Sequence, residues 1–163
     1  GGWIEVEQKQ TTAVFRLVMP GLLEPRVGGR GAPKDHSVRV LLVDDEELVL
    51  ESVTATLKAL GYDVTGVSSG EEAIHLFQEA EEKGKSYHLA LLDLSLQGAI
   101  DGLETARRIR LLDEEVRLVL LSGYDPEFVL QSHPEHRFDA AVQKPFRIAA
   151  LARLLADVLT RAR

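Results

Sequence analysis

From residue 38 onward the chain alternates between two kinds of apolar run. Residues 38–43 (Val-Arg-Val-Leu-Leu-Val) are nearly continuous in apolar character, as expected of a strand covered on both faces. Residues 46–60 then change period: Val49, Val53, Leu57 and Leu60 recur at helical spacing, and Gly61 stands where a helix ends. Residues 62–67 read as a second strand. A helix opens at Ser69 or Gly70 with Glu71 and Glu72 in its first turn, where the helix dipole favours negative charge, and runs to residue 83 with Ala73, Ile74 and Phe77 inward. Residues 89–93 form a third strand, and a loop over 94–101 leads into a helix over 102–112 that turns Leu103, Ala106 and Ile109 to one side. After a fourth strand at 116–121, Asp125 caps a short helix with Pro126 in its first turn, stopped by Pro134. Residues 140–143 are a fifth strand. The last helix, 147–160, carries a stripe of Ile148, Leu151, Leu154, Leu155 and Val158. Strict alternation of five strands and five helices predicts the α/β class: an open, doubly wound, five-stranded parallel sheet. Periodicity does not fix the strand order.

The first twenty residues follow a different rule. Ile4 and Val6 alternate with Glu5 and Glu7. After a polar turn, Phe15, Leu17 and Met19 alternate with Arg16 until Pro20 stops the run. This predicts a β-hairpin over 1–20, and two strands alone are marginal in water, so it is expected to belong to something larger. Residues 21–36 hold Gly21, Pro25, Gly28, Gly29, Gly31 and Pro33 and read as a linker to a domain at 37–163. The glycines at 28–31 follow no strand and lack the Gly-Lys-Ser/Thr ending of a phosphate-binding loop.

Composition narrows the picture. Of 163 residues, 45% are hydrophobic and 28% charged, which suits a folded globular chain rather than a disordered one. The net charge of -7 is uneven: residues 1–37 hold five Lys/Arg against four Asp/Glu, and the rest 14 against 22. An acidic domain is a poor nucleic-acid binder but suits a divalent cation or a basic partner. There is no cysteine, hence no disulfide framework or thiolate metal site. No run approaches bilayer length and no signal-peptide pattern is visible. A cytoplasmic chain without membrane contact is expected, although a parent protein can be membrane-anchored.

The candidate chemistry lies where the predicted strands end. Asp44-Asp45 closes the first, Asp93 the third, Ser122 the fourth and Lys144-Pro145 the fifth. Open parallel sheets place their sites at these C-terminal ends. Singly, each has a plain reading: helix-start charge, a loop-entry Asp, turn punctuation. Together they predict one acidic pocket. Three carboxylates in one place repel and raise one another's pKa unless a cation neutralises them. Mg²⁺, with its preference for oxygen ligands and phosphate, fits such a set.

Over residues 38–162 the chain resembles the receiver domain of two-component response regulators. The resemblance rests on Asp44-Asp45, Asp93, Ser122-Gly123 and Lys144-Pro145-Phe146, on Gly98 and Asp101-Gly102-Leu103-Glu104, and on gaps of 48, 29 and 22 residues separating Asp45, Asp93, Ser122 and Lys144. It implies a flavodoxin-like fold and a Mg²⁺ cofactor held directly by Asp45, Asp93 and the backbone carbonyl of Ser95, with Asp44 acting through water. It implies Asp93 as phosphoacceptor, Lys144 as a cation that pairs with Asp93 at rest and with phosphoryl oxygens afterwards, Ser122 as a hydrogen-bond donor to the new group, and a cis Lys144-Pro145 bond. Two departures stand out. The loop after Asp93 is one residue longer than usual and has Gln97 for the common Pro. The position three before the Lys, often an aromatic that swings inward, is Ala141, which leaves Tyr124 as a substitute.

The segment Gly2-Trp3-Ile4-Glu5-Val6-Glu7 with Thr11-Thr12-Ala13-Val14-Phe15-Arg16-Leu17-Val18-Met19-Pro20 resembles the closing hairpin of the ATP-binding domain of sensor histidine kinases, without the usual turn glycines. The ATP-contacting boxes of that family are absent, so this chain is not expected to bind ATP. The two resemblances together imply the receiver of a hybrid histidine kinase. Its donor would be a phosphohistidine of its own dimerisation domain or of a His phosphotransfer protein, and its own catalysis would be limited to phosphorylation and dephosphorylation of Asp93. The rival expectation is a receiver-like docking or dimerisation module that is never phosphorylated, with a homodimer left open. An Asp-nucleophile phosphatase is disfavoured because Ser95 stands where a second Asp is needed. His75 and His88 are expected at the surface. His133 and His136 flank Pro134-Glu135 in what reads as an exposed loop, where Pro134 breaks the helix that paired metal ligands want, so no metal is expected there.

Overall fold

The computed structural model describes residues 38–161 and, for the backbone, 4–9 and 12–17. The linker reading of 21–36 lies outside the described residues. At the N-terminus, strand β1 (Ile4–Lys9) pairs antiparallel with β2 (Thr12–Leu17), in a register that sets Ile4 opposite Leu17 and Lys9 opposite Thr12.

The main unit runs β3 (Arg39–Val43), α1 (Glu47–Ala59), β4 (Asp63–Val67), α2 (Gly70–Glu82), β5 (Leu89–Asp93), α3 (Gly102–Leu112), β6 (Arg117–Ser122), α4 (Pro126–Ser132), β7 (Ala140–Gln143) and α5 (Ile148–Thr160), with a 3₁₀ turn at Pro134–His136. The five strands are parallel in the order β4-β3-β5-β6-β7. The order reverses at β3, so the crevice at the switch point opens beside the ends of β3 and β5. The flavodoxin-like expectation holds, and the pairing supplies the strand order that periodicity left open.

Both faces of the sheet are covered. Leu41, Val43, Leu92 and Leu120 pack with Ala73 and Phe77 of α2, Ala106 and Ile109 of α3 and Val129 of α4. On the other face Val40, Leu42, Leu91 and Leu121 pack with Val53 and Leu57 of α1 and Leu151, Leu155 and Val158 of α5. Every residue of β5 is buried, which explains its unbroken Leu-Ala-Leu-Leu-Asp sequence. Full burial of such side chains removes apolar area from water at about 25 cal/mol per Å², so the strand ends are held by the best-buried part of the chain.

Local signals set the element ends. Ser69 Oγ accepts from the Glu72 N–H, Asp101 Oδ1 from the Glu104 N–H and Asp125 Oδ1 from the Glu127 and Phe128 N–H groups. Gly61 ends α1 with φ +93°, a conformation that suits glycine. Glu46 is the residue before α1 rather than its first turn, and this difference matters for the site. His75 and His88 are exposed as expected, but the His136 side chain is mostly buried, because the 3₁₀ turn folds it back against the ring of Phe138 at 5.6 Å. Among the described residues no helix is long and apolar enough to cross a membrane.

Gly102 opens α3 directly under the end of β5. A Cβ there would overlap the carbonyl oxygen of Asp93 and lie 2.9 Å from its carbonyl carbon. Gly123 has nothing within 4 Å of the same position. Gly102→Ala is therefore expected to lower unfolding free energy by about 1–3 kcal/mol, while Gly123→Ala stays within about 0.5 kcal/mol of wild type. Urea denaturation of the two variants checks the contrast.

Candidate functional site

Four strand ends converge on one pocket. Asp44 follows β3, and its N–H donates to the Val67 carbonyl at 3.1 Å, which fixes the chain as it leaves the sheet. Asp93 closes β5, and the next N–H, of Leu94, donates to the Leu121 carbonyl at 2.8 Å. Ser122 closes β6 and is fully buried. Its carbonyl accepts the Lys144 N–H at 2.6 Å and its hydroxyl oxygen accepts the Tyr124 N–H at 3.0 Å. Lys144 follows β7 and is joined to Pro145 by a cis bond, as the resemblance implied.

Asp44, Asp45 and Asp93 each offer a carboxylate oxygen to a group spanning no more than 4.8 Å. Asp44 and Asp93 are shut off from solvent, at 0% and 2% exposure, while Asp45 is partly exposed at the rim. The Lys144 ammonium enters this acidic group, with Nζ 2.7 Å from Asp44 Oδ2 and 3.3 Å from Asp93 Oδ1. Neither buried oxygen accepts a well-directed hydrogen bond, so the ammonium's charge is what holds them. Lys144 was expected to pair with Asp93 at rest. It does, but its shorter contact is to Asp44.

Burial pushes the Asp93 carboxyl above its ordinary range. The charge of Lys144 and a hydrogen bond from the Ser95 N–H pull against this, and the charge of Asp44 adds to it. For Lys144, burial acts downward, but the close contact with Asp44 and the charges of Asp93 and Asp44 outweigh it, so its pKa stands above the ordinary lysine value. Lys144 thus stays a cation, and one cation faces more carboxylates than it can neutralise. Two oxygen ligands without well-directed donors, in a cluster of hard oxygen atoms, suit a hard dication such as Mg²⁺.

Glu46 was not foreseen as a member of the site. Its Oε1 is 3.3 Å from Lys144 Nζ, a third carboxylate on the same ammonium, and its N–H donates to Asp44 Oδ1 at 3.0 Å. Its place next to Asp44-Asp45 was the signal, but it read as helix-start charge. The loop after Asp93 is anchored despite Gln97, because Leu96 is buried in the core. Ala141 is buried within the cluster on the α2, α3 and α4 face. Tyr124 is 63% exposed and so turns outward.

A family model for the response regulator receiver domain matches residues 40–156. The chain belongs to the response regulator receiver family. Curated relatives include the transcriptional regulatory protein AruR of Pseudomonas aeruginosa, 33% identical over 77% of this chain and 50% of AruR. Sensor kinase CckA of Brucella abortus is 26% identical over 99% of this chain and 18% of the kinase. The chain therefore spans half or less of the length of these relatives. The CheY-like receiver of Methanospirillum hungatei shares the fold, with a TM-score of 0.67 at 22% identity over 76% of this chain and 94% of that one. Receiver domains act in two-component signalling, bind Mg²⁺ and interact with histidine kinases or phosphotransfer proteins. This receiver carries the acidic cluster that such an ion needs.

The charge balance gives a pair of opposite expectations for the metal-free chain. Because Asp93 is held above its ordinary 3.8 when folded, folding favours its protonated form, and stability falls as pH rises from 3.8 through the folded value. Asp93→Asn escapes that loss. It is expected to be more stable than wild type at neutral pH, an advantage that shrinks as pH falls. Lys144→Met leaves Asp44 and Asp93 buried without their cation and is expected to cost about 3 kcal/mol. Thermal melts in chelator at several pH values check both signs.

Proposed function

We propose that this receiver takes a phosphoryl group from a phosphohistidine onto Asp93, in the phosphorelay of a hybrid histidine kinase. The observation that carries the reading is the Lys144 ammonium held between Asp44 and Asp93 at the mouth of the acidic crevice. Asp93 Oδ is the nucleophile. It bonds to phosphorus as the phosphorus–nitrogen bond to the donor imidazole breaks, and the imidazole keeps the electron pair and later a proton from solvent. Asp44, Asp45, Asp93 and the Ser95 carbonyl would hold Mg²⁺, which neutralises the carboxylates and draws in the phosphoryl oxygens when bound. Lys144 has only to turn its ammonium from carboxylate to phosphoryl oxygen. The Ser122 hydroxyl, fixed at the end of β6, is the donor for a second oxygen. Gly123 leaves open space beside it, and Pro145 sets the backbone from which Lys144 reaches in.

The hybrid-kinase part is supported by the extent of the match to CckA, which includes the N-terminal hairpin. On this reading residues 1–20 are the last hairpin of the kinase ATP-binding domain, 21–36 a linker and 37–163 the receiver, and the setting is cytoplasmic. A second reading, a docking module that is never phosphorylated, is favoured by Ala141, since a small side chain cannot act as the aromatic relay.

Incubation with acetyl phosphate and Mg²⁺, followed by intact-mass measurement, separates the two. Wild type is expected to gain one phosphoryl group, and the gain to vanish in Asp93→Asn and in chelator. An unlabelled wild type, or an Asp93→Asn variant labelled in full, contradicts the proposal.

A further inference from the structure

A second cluster of metal-ligating side chains lies far from the acidic crevice. His133, Glu135 and His136 each offer one donor atom, and the three atoms lie within 4.8 Å of one another. Glu135 Oε1 is 3.3 Å from His136 Nε2 and 3.8 Å from His133 Nδ1. The turn connects α4 to β7 and so stands at the N-terminal edge of the parallel sheet, whereas the acidic crevice occupies the C-terminal edge.

The local backbone explains the grouping. Pro134 does end α4, but it starts a 3₁₀ turn, closed by the His136 N–H donating to the His133 carbonyl at 3.3 Å. Side chains three apart eclipse in a 3₁₀ turn, so His133 and His136 come onto one side with no longer helix needed. The turn is also held from outside. Arg137 adopts a left-handed conformation, φ 48° and ψ 52°, costly for a residue with a Cβ. Its carbonyl accepts from the Arg110 guanidinium of α3 at 3.2 Å. The His136 side chain is only 11% exposed and packs against Phe138, while Glu135, at 62%, leaves the outer side open.

We infer that His133, Glu135 and His136 form a binding site for a divalent transition-metal ion of the Zn²⁺ class. Two imidazoles and one carboxylate are the borderline nitrogen and oxygen donors that Zn²⁺ takes in open sites, with water in the fourth position. Mg²⁺, which wants oxygen ligands, is selected against here as strongly as it is favoured in the acidic crevice. The ion would pin the α4–β7 connection to the sheet edge.

The test uses the whole chain near pH 7.5, with excess Mg²⁺ to occupy the acidic crevice. Zn²⁺ is titrated in competition with a chromophoric chelator. One equivalent is expected to bind, with affinity kept in Asp45→Asn and reduced by about tenfold or more in His133→Gln/His136→Gln. Histidine ring NMR signals of the wild type give a second readout that needs no variant: two of the five are expected to shift on adding Zn²⁺ and three to stay. Absence of binding at about 0.1 mM Zn²⁺, equal binding by the double variant, or shifts spread over all the histidines overturns the proposal.

Discussion

Two carboxylates buried side by side need a cation. Asp44 and Asp93 are shut away from water at the centre of the sheet's C-terminal edge, and Lys144 is the charge that lets them be there. In a low-dielectric pocket an unpaired carboxylate is too costly to keep ionised. The ammonium of β7's end therefore ties together β3, β5 and β7, three strands far apart in sequence. One positive charge among Asp44, Asp45, Glu46 and Asp93 leaves the crevice acidic, and that surplus is the chemical character of the site. It suits a dication.

The rest of the fold serves to hold these groups still. β5 is buried along its whole length and Gly102 of α3 lies against its last carbonyl, so Asp93 has little freedom to move. The backbone bonds from Asp44 to Val67, from Leu94 to Leu121 and from Lys144 to Ser122 tie the end of β3 to β4, of β5 to β6 and of β7 to β6. Such preorganisation is what phosphoryl transfer asks of a protein, because positioning and charge do most of the chemistry. Ala141 and the outward Tyr124 put the departure elsewhere, in how a change at Asp93 would be passed to the α4 face.

Much of this was legible in the sequence. Burial on both faces writes itself as continuous apolar runs, and an abrupt carboxylate after such a run marks the strand's functional end. Asp44, Asp45 and Asp93 were singled out that way, Ser122 and Lys144 as the polar groups that end two further runs, and the fold brings them to one edge of the sheet. What escaped depended on three-dimensional reach. Strand order is a matter of pairing, which periodicity does not encode. Glu46 looked like dipole-favouring charge because nothing in its neighbours shows that a lysine 98 residues away comes within 3.3 Å. Gly102 looked like a helix start, and its closeness to Asp93 is visible only once α3 is packed. The closeness of His133, Glu135 and His136 escaped for a different reason. A proline was read as an end to helical geometry, but Pro134 begins a tighter turn that suits a spacing of three.

In the proposed function Asp93 carries the phosphoryl group, the three aspartates hold the ion and Lys144 changes partner. A crystal structure of the chain with Mg²⁺ and beryllofluoride, a phosphoryl mimic, tests it most directly. Beryllium is expected bonded to an Asp93 carboxylate oxygen, the ion on Asp45, Asp93 and the Ser95 carbonyl, and Lys144 Nζ moved from Asp44 to a fluoride. An adduct on another residue, or Lys144 still on Asp44 with no adduct at saturating beryllofluoride, would contradict it.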